Sequence, residues 1–264
     1  MARGQRPWSA GYGSFRERYV TGVLANPEDM KAFRDGRPLR ANFGVGLDER
    51  VIEYPWVLSR LSDKGGLLLD AGSALNHRYV LSNPQVARKR VVVYTLSPKG
   101  EEMLPGEDVS YLFGDLRETI LRDSTFEEVV CISTLEHIGL DNSRFYTVSS
   151  EYRQANERDF LLAVREMRRV LVPGGHLLLT VPYGRARLLD WLQVFDRGKV
   201  HEIIEEFGGS VLREAYYRYY ERGWQQASYA ECSDCEYNDV HAGFQYRSGV
   251  AAAASAVACI ELVK

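Results

Sequence analysis

From Gly66 onward the chain carries short, nearly unbroken apolar runs: LLLDAG (67–72), RVVVYTL (90–96), VSYLF (109–113), EEVVCIS (127–133) and HLLLTVP (176–182). Each has the length of a strand, and none alternates apolar with polar residues as a strand with one wet face would. Strands that are apolar on both faces must be covered on both faces, which calls for helices packed on a mostly parallel, doubly wound α/β sheet. One covering helix is legible directly. Arg158 to Val172 sets Phe160, Leu161, Val164, Met167, Val170 and Leu171 on one face with charge opposite, and Pro173-Gly174-Gly175 predicts its end before the next strand. Open sheets of this kind bind ligands outside the carboxyl ends of their strands, so the residues just after each run are the candidates for a site.

The flanks differ in kind. Residues 1–62 hold scattered glycines, arginines and aromatics, a helix start at Asn26-Pro27-Glu28-Asp29, and apolar positions at Val51, Ile52, Trp56, Val57, Leu58 and Leu61. They read as an N-terminal helical cap with a lead-in helix, before a main domain over 63–264 that carries a loop insertion around 221–250. A dense aromatic run, Tyr216, Tyr217, Tyr219, Tyr220 and Trp224, predicts a strand whose tyrosines alternate between core and solvent or substrate. Cys232-Ser233-Asp234-Cys235 with His241 is an incomplete zinc set, so two reduced thiols and no metal are expected. AVACIELVK (256–264) reads as a terminal strand.

Charge narrows the function classes. Among 264 residues, 33 basic against 36 acidic side chains give a net charge of −3, which argues against a partner held by its nucleic acid backbone. A hydrophobic share of 45% excludes wholesale disorder. No window reaches the roughly 18 apolar residues of a membrane helix, and the nearest, Gly249 to Ile260, is mostly alanine. The start MARGQRPWSAGYGSF lacks the apolar stretch of a signal peptide, and there are only 4 cysteines; both features point to a cytoplasmic location.

The first loop is informative by what it lacks. LLLDAGSALNH puts Asp70 at a strand end, then Gly72 with small Ser73 and Ala74, where a dinucleotide fold wants three glycines to close on a pyrophosphate. One glycine with small neighbours suits a ligand that lies against the backbone without phosphates to wrap, such as S-adenosylmethionine.

Four motifs in order then resemble the class I S-adenosylmethionine-dependent methyltransferases: LLLDAGSALN after the first strand, GDLRE (114–118) after the third, EEVVCISTLEHIG (127–139) as the fourth, and RRVLVPGGHLLLTVPYG (168–184) as a helix and the fifth strand. They span roughly residues 60–184. Within that superfamily, STLEHIGLDN (133–142) and DERVIEYPWVLSRL (48–61) are most similar to enzymes of polysaccharide and small-molecule tailoring. The resemblance implies a seven-stranded Rossmann-like sheet, a last strand inserted antiparallel near the fifth, and S-adenosylmethionine as cofactor. It implies that Asp70 and Gly72 frame the methionine end of the cofactor, with Ala71, Ser73 and Ala74 along the loop. Asp115 and the Leu116 amide would meet the adenine, and Ser133 would close the cofactor site at the fourth strand. One position departs from the pattern. Where an acidic residue usually takes both ribose hydroxyls, this chain reads Tyr94-Thr95-Leu96-Ser97, so Thr95 and Leu96 occupy the place without a carboxylate.

Methyl transfer from a sulfonium needs alignment and, for a hydroxyl acceptor, removal of a proton. His137 is the candidate base, with Glu136 orienting it or taking the proton itself; a histidine here also serves as packing beside adenosine. Asp141 and Asn142 either bind acceptor hydroxyls or cap the turn. Phe145 to Asn156 and the region after Tyr183 are expected to wall the acceptor pocket, and Arg185 pairs with an anionic acceptor or stays solvated. The leading expectation is methylation of a hydroxyl, ahead of an amine, on a small-molecule or glycan-type acceptor. A nucleic-acid methyltransferase would carry Asn/Asp-Pro-Pro-aromatic where this chain has Ser-Thr-Leu-Glu. A nicotinamide-dependent dehydrogenase conflicts with the single-glycine loop, and a catalytically weak cofactor-binding subunit is compatible with Thr95.

Overall fold

The computed structural model describes residues 6–98, 103–104, 108–143 and 154–264. The chain divides into two compact units, one of Met1–Arg60, Pro182–Arg185 and Ala215–Cys259, the other of Leu61–Val181, Ala186–Glu214 and Ile260–Lys264.

The second unit is built on the apolar runs. They form β1 (Leu67–Ala71), β2 (Arg90–Thr95), β3 (Val109–Phe113), β4 (Phe126–Ile132) and β5 (Leu171–Pro182), after which β6 (Arg187–Leu188) and β7 (Gln193–Val194) make a separate antiparallel pair. All four neighbouring pairs, β2 with β3, β1 with β2, β1 with β4 and β4 with β5, are parallel. The chain's last strand, β10 (Ala256–Val263), runs against β5, with Gly174 N donating to Lys264 O at 2.9 Å and Lys264 N to Gly175 O at 3.0 Å. The strand order is β3-β2-β1-β4-β5-β10-β8-β9, where β8 is Ser210–Tyr220 and β9 is Gly223–Ala227. Seven of these strands match the expected sheet. The eighth, β9, arises because Gly223, at φ +101°, turns the chain back along β8.

The helix before β5 is shorter than its sequence pattern suggests. α6 (Phe160–Val170) buries Phe160, Ala163, Val164, Met167 and Val170, while Leu171 already pairs with Phe126 as strand. Pro173-Gly174-Gly175 lies inside β5, in the bulge between the Leu171–Phe126 and His176–Glu128 pairs. A Cβ on Gly175 would stand 2.9 Å from Val172 O, so the bulge itself requires glycine there. Two short helices, α4 (Arg78–Leu81) and α5 (Pro84–Ala87), link β1 to β2, and α7 (Arg197–Phe207) follows β5.

The other unit contains α1 (Tyr12–Leu24), α2 (Pro27–Asp35), α3 (Arg50–Leu58) and α8 (Tyr229–Cys232). Asn26 caps α2 as its sequence predicts, accepting from the amides of Glu28 at 2.9 Å and Asp29 at 3.4 Å. The tyrosines of β8 do not divide evenly between core and solvent. Tyr217 packs on Phe33 and Tyr219 accepts from Gly46 N at 2.9 Å, while Tyr216 on the opposite face meets Tyr183 with ring centres 4.6 Å apart. Both faces are covered, so only Tyr220, at 41% exposure, reaches solvent.

This unit also buries charge. Arg16 pairs with Asp48 at 2.6 Å, Arg50 pairs with Glu53, and Glu49 accepts from Ala254 N at 3.2 Å. Burial, then the charges of Asp48 and Glu53, push the Glu49 carboxyl up to about 8 against the pull of Arg50. A carboxyl raised in the folded state adds stability that is complete below its unfolded value and is lost as pH rises through about 8. Glu49→Gln keeps the acceptor for Ala254 without the titration. It is expected to melt above the parent at pH 8.5 and to lose that advantage by pH 5; a constant difference in thermal melts across that range would contradict the assignment.

Candidate functional site

The carboxyl ends of β1 to β4 open onto one cavity of about 330 Å³, lined wholly by residues of the sheet-bearing unit. Each strand contributes a different chemistry.

After β1, Asp70 is fully buried and does not line the cavity; its carboxylate accepts from the amides of Ala74 at 3.1 Å and Leu75 at 2.8 Å. Through these bonds it shapes the loop. Ala71 is buried in the strand, and Ser73 (φ +68°) and Ala74 form the body of the turn outside the lining. Gly72 is the residue of this loop that faces the cavity. It has φ +113°, and a Cβ there would lie 2.1 Å from Thr134 Oγ1, so no side chain fits.

After β2, Thr95 and Leu96 line the cavity, at the position where the sequence has no acidic residue. After β3, Gly114, Asp115, Leu116 and Arg117 line it. A Cβ on Gly114 would fall 2.3 Å from the hydroxyl of Tyr94, which fills the space beneath the loop. The Arg117 guanidinium grips Asp115 through Nε at 3.0 and 3.1 Å and Nη2 at 2.6 Å, and its amide donates to the same carboxylate at 2.9 Å. Burial raises the Asp115 pKa, but the hydrogen bonds from the Arg117 side chain and amide outweigh it and hold the carboxyl below its usual value. Arg117 also pairs with Asp159 just ahead of α6.

After β4, Ser133 takes φ +40° with its amide donating to Thr180 O at 3.0 Å, and Leu135–His137 makes a single 3-10 turn. A non-glycine residue in the left-handed region is strained, and here the strain lies on the cavity wall. The His137 Nδ1 lies 2.9 Å from Trp191 O, and the His137 and Trp191 rings stack with centres 5.3 Å apart. A carbonyl only accepts, so the proton sits on Nδ1 and Nε2 carries the lone pair of the neutral ring. Glu136 is buried outside the lining, its Oε1 4.0 Å from His137 Nε2. Asn142 lines the cavity, but its amide nitrogen donates to His137 O at 2.7 Å and Leu140 O at 3.0 Å. Asp141 accepts from Ser143 N at 2.9 Å, which is a turn cap, and is not a lining residue.

Two further expected acceptor residues, like Asp141, are not among the lining residues. Tyr183 is buried against Tyr216, and Arg185 is an exposed arginine 3.6 Å from the equally exposed Glu236, a pair worth about 0–1 kcal/mol. Of the expected wall Phe145 to Asn156, residues 145–153 lie outside the described residues, and Gln154 lines the cavity. Arg117 and Trp191 are lining residues that the sequence did not single out. The Asp-x-Arg spacing of Asp115 and Arg117, which lets the arginine fold back on the aspartate, was the available signal for the first. Among the described residues, no group of three or more His, Cys, Asp or Glu side chains stands ready to hold a metal, and no helix is long and apolar enough to cross a membrane.

Residues 69–179 match the family model of a methyltransferase domain. The chain carries a class I S-adenosylmethionine-dependent methyltransferase domain. No curated protein matches the chain. Among solved structures, a chain of the complex between a methyltransferase activator and a methyltransferase of Haloferax volcanii is 13% identical, with 92% of this chain and 97% of that one covered at a TM-score of 0.50. The Burkholderia thailandensis 1,6-didemethyltoxoflavin-N1-methyltransferase with bound S-adenosylhomocysteine is 12% identical, covering 98% and 92% at a TM-score of 0.48. The [4+2]-cyclase SpnF is 17% identical, covering 95% and 94% at 0.49. At 13% identity the likeness to the Haloferax volcanii chain is one of fold alone.

The cavity of this methyltransferase domain fits S-adenosylmethionine on its own chemistry. Gly72 offers bare backbone for close approach, and Asp115 is an ionised acceptor at the far end of the same wall. Thr95 supplies a hydroxyl where two carboxylate oxygens would hold a ribose diol. Gly72→Ala is expected to cost about 2 kcal/mol or more in urea denaturation, since it combines an unfavourable φ with a clash. A variant as stable as the parent would remove the close contact with Thr134.

Proposed function

We propose that this methyltransferase moves the methyl group of S-adenosylmethionine to a hydroxyl of a small-molecule or glycan-type acceptor, with His137 as the base. The observation that carries the reading is the Trp191 carbonyl on His137 Nδ1, which fixes the tautomer and leaves Nε2 as the basic nitrogen of a cavity-lining ring. The bound cofactor supplies an already activated methyl, so the protein has to align two reactants and remove one proton. A neutral amine attacks without prior deprotonation, whereas a hydroxyl gains from a base in reach, and this favours the oxygen acceptor.

The other residues divide the work. Asp115, kept ionised by Arg117, accepts from the amino group of the adenine, beside the Leu116 amide. The backbone of Ala71, Gly72, Ser73 and Ala74, turned by Asp70, cradles the methionine end. Thr95, Leu96 and Ser133 bound the middle of the site. Glu136, 4.0 Å from Nε2, stabilises the imidazolium by charge once the proton has moved. Asn142 holds the turn that carries His137. A cofactor-binding subunit with weak catalysis is the second reading, favoured by Thr95 in place of an acid.

Calorimetric titration tests the cofactor assignment. S-adenosylhomocysteine is expected to bind and nicotinamide dinucleotide is not, and Asp115→Ala should weaken S-adenosylhomocysteine by about tenfold or more, the loss of one charge-assisted hydrogen bond. If only the dinucleotide binds, the reading fails. For the base, His137→Ala should lower turnover of a hydroxyl acceptor by about 10²-fold while S-adenosylhomocysteine affinity changes little. Unchanged turnover would take the base role from His137, and cofactor binding with no turnover on any acceptor panel would favour the partner subunit.

A further inference from the structure

We propose that Cys232 and Cys235 are an oxidisable dithiol that closes reversibly to an intrachain disulfide by exchange with a low-molecular-weight disulfide such as oxidised glutathione. This inference is independent of the methyl-transfer reading, and neither cysteine lines the cavity.

Local geometry brings the two sulfurs together. Cys232 ends α8, a single turn fixed at its start by a capping box between Ser228 and Glu231. The chain then continues in a turn in which Cys235 N donates to Cys232 O at 3.1 Å. An i to i+3 turn holds the two α-carbons at the separation a disulfide spans, and the thiols are already hydrogen-bonded to each other. The turn is anchored from outside as well. Arg185 N donates to Cys235 O at 2.9 Å, and Gly184 approaches so closely that a Cβ would lie 2.2 Å from that oxygen.

The two thiols are chemically unequal. The hydrogen bond from Cys232 and the charge of Arg218 lower the Cys235 thiol against burial, while the same hydrogen bond and burial raise Cys232. Arg218 is held beside the pair by Glu231 O and by Asp234 Oδ1 at 2.9 Å. One thiol is thus readier to attack and the other is placed to resolve. Cys235 lies between the exposed residues Asp234 and Glu236 and is itself 4% exposed. Cys131 and Cys259 provide the contrast: they are fully buried as Cys232 is, burial pushes both thiols up, and neither stands in a Cys-x-x-Cys turn with a second cysteine.

The exchange balances in two steps. Cys235 Sγ, as thiolate, attacks one sulfur of the glutathione disulfide, forms a mixed disulfide and releases one glutathione thiolate. Cys232 Sγ then gives up its proton, attacks the Cys235 sulfur and expels the second glutathione. The protein loses two protons and two electrons, and the glutathione disulfide gains them.

The test is to equilibrate the folded full-length protein with reduced and oxidised glutathione at a series of ratios, quench with acid, alkylate in denaturant and digest with trypsin. The peptide from 223–247, bounded by Arg222 and Arg247, carries both cysteines. It is expected to lose two hydrogens and both alkylation sites as the ratio becomes oxidising, to recover them on reduction, and to leave Cys131 and Cys259 fully alkylated. In Cys232→Ser, Cys235 should remain trapped as the glutathione adduct, and Cys235→Ser should capture at least about tenfold less. A pair that stays reduced in excess glutathione disulfide, with circular dichroism showing a folded chain, overturns the proposal, as does oxidation that reaches Cys131 or Cys259 to the same extent. The parent protein alone decides the main point if a variant fails to fold.

Discussion

The carboxylate of Asp70, sealed from water and bound to the amides of Ala74 and Leu75, bends the chain at the end of β1. A buried carboxylate is costly unless it accepts several hydrogen bonds, and the loop must keep its shape to supply them. That bend sets Gly72 within a van der Waals distance of Thr134 at the end of β4. The first and fourth strands are neighbours in the sheet, so the Gly72–Thr134 approach fixes how closely the two loops that flank the cavity stand. The rest of the wall is built outward from that closure.

The Asp115–Arg117–Asp159 chain works in the same way farther along. Arg117 is satisfied twice over, by a carboxylate within its own loop and by one at the start of α6. Asn156, which donates to Asp159 at 2.5 Å, bonds Gly139 O through its amide at 2.9 Å, so the β3 loop, the approach to α6 and the turn after β4 form one polar network. Such a network positions groups more than it adds net stability, because each charge must first give up water.

How much of this was legible in the sequence follows from which contacts are local. The unbroken apolar runs specify β1, β2, β4 and β5, because a strand buried on both faces cannot afford polar positions, whereas β3 is the sheet's edge strand and has no fully buried residue. The loops after them carry most of the cavity, so Gly72, Thr95, Leu96, Asp115, Leu116, Ser133, His137 and Asn142 could be located from strand ends taken together with the family resemblance. The failures are non-local. Trp191 reaches His137 across 54 positions of sequence, and nothing in the residues around it signals that its carbonyl is needed. Tyr183 and Arg185 sit just after a strand, yet one is taken up by Tyr216 and the other by Glu236 and solvent. Asp70 was legible at its strand end, but its bonds to the amides of Ala74 and Leu75 were not, because they depend on how the loop turns back.

Charge closes the argument about what the cavity suits. Arg117 is a permanent cation on the cavity wall, and a cation left exposed there would repel a sulfonium. Its two carboxylate partners cancel that charge and leave the network with an excess of one negative. A neutral or anionic ligand gains nothing from that excess, whereas a cationic one does. The arginine that the sequence did not single out thus makes the wall hospitable to a positively charged methyl donor, provided Asp115 and Asp159 both remain ionised around it.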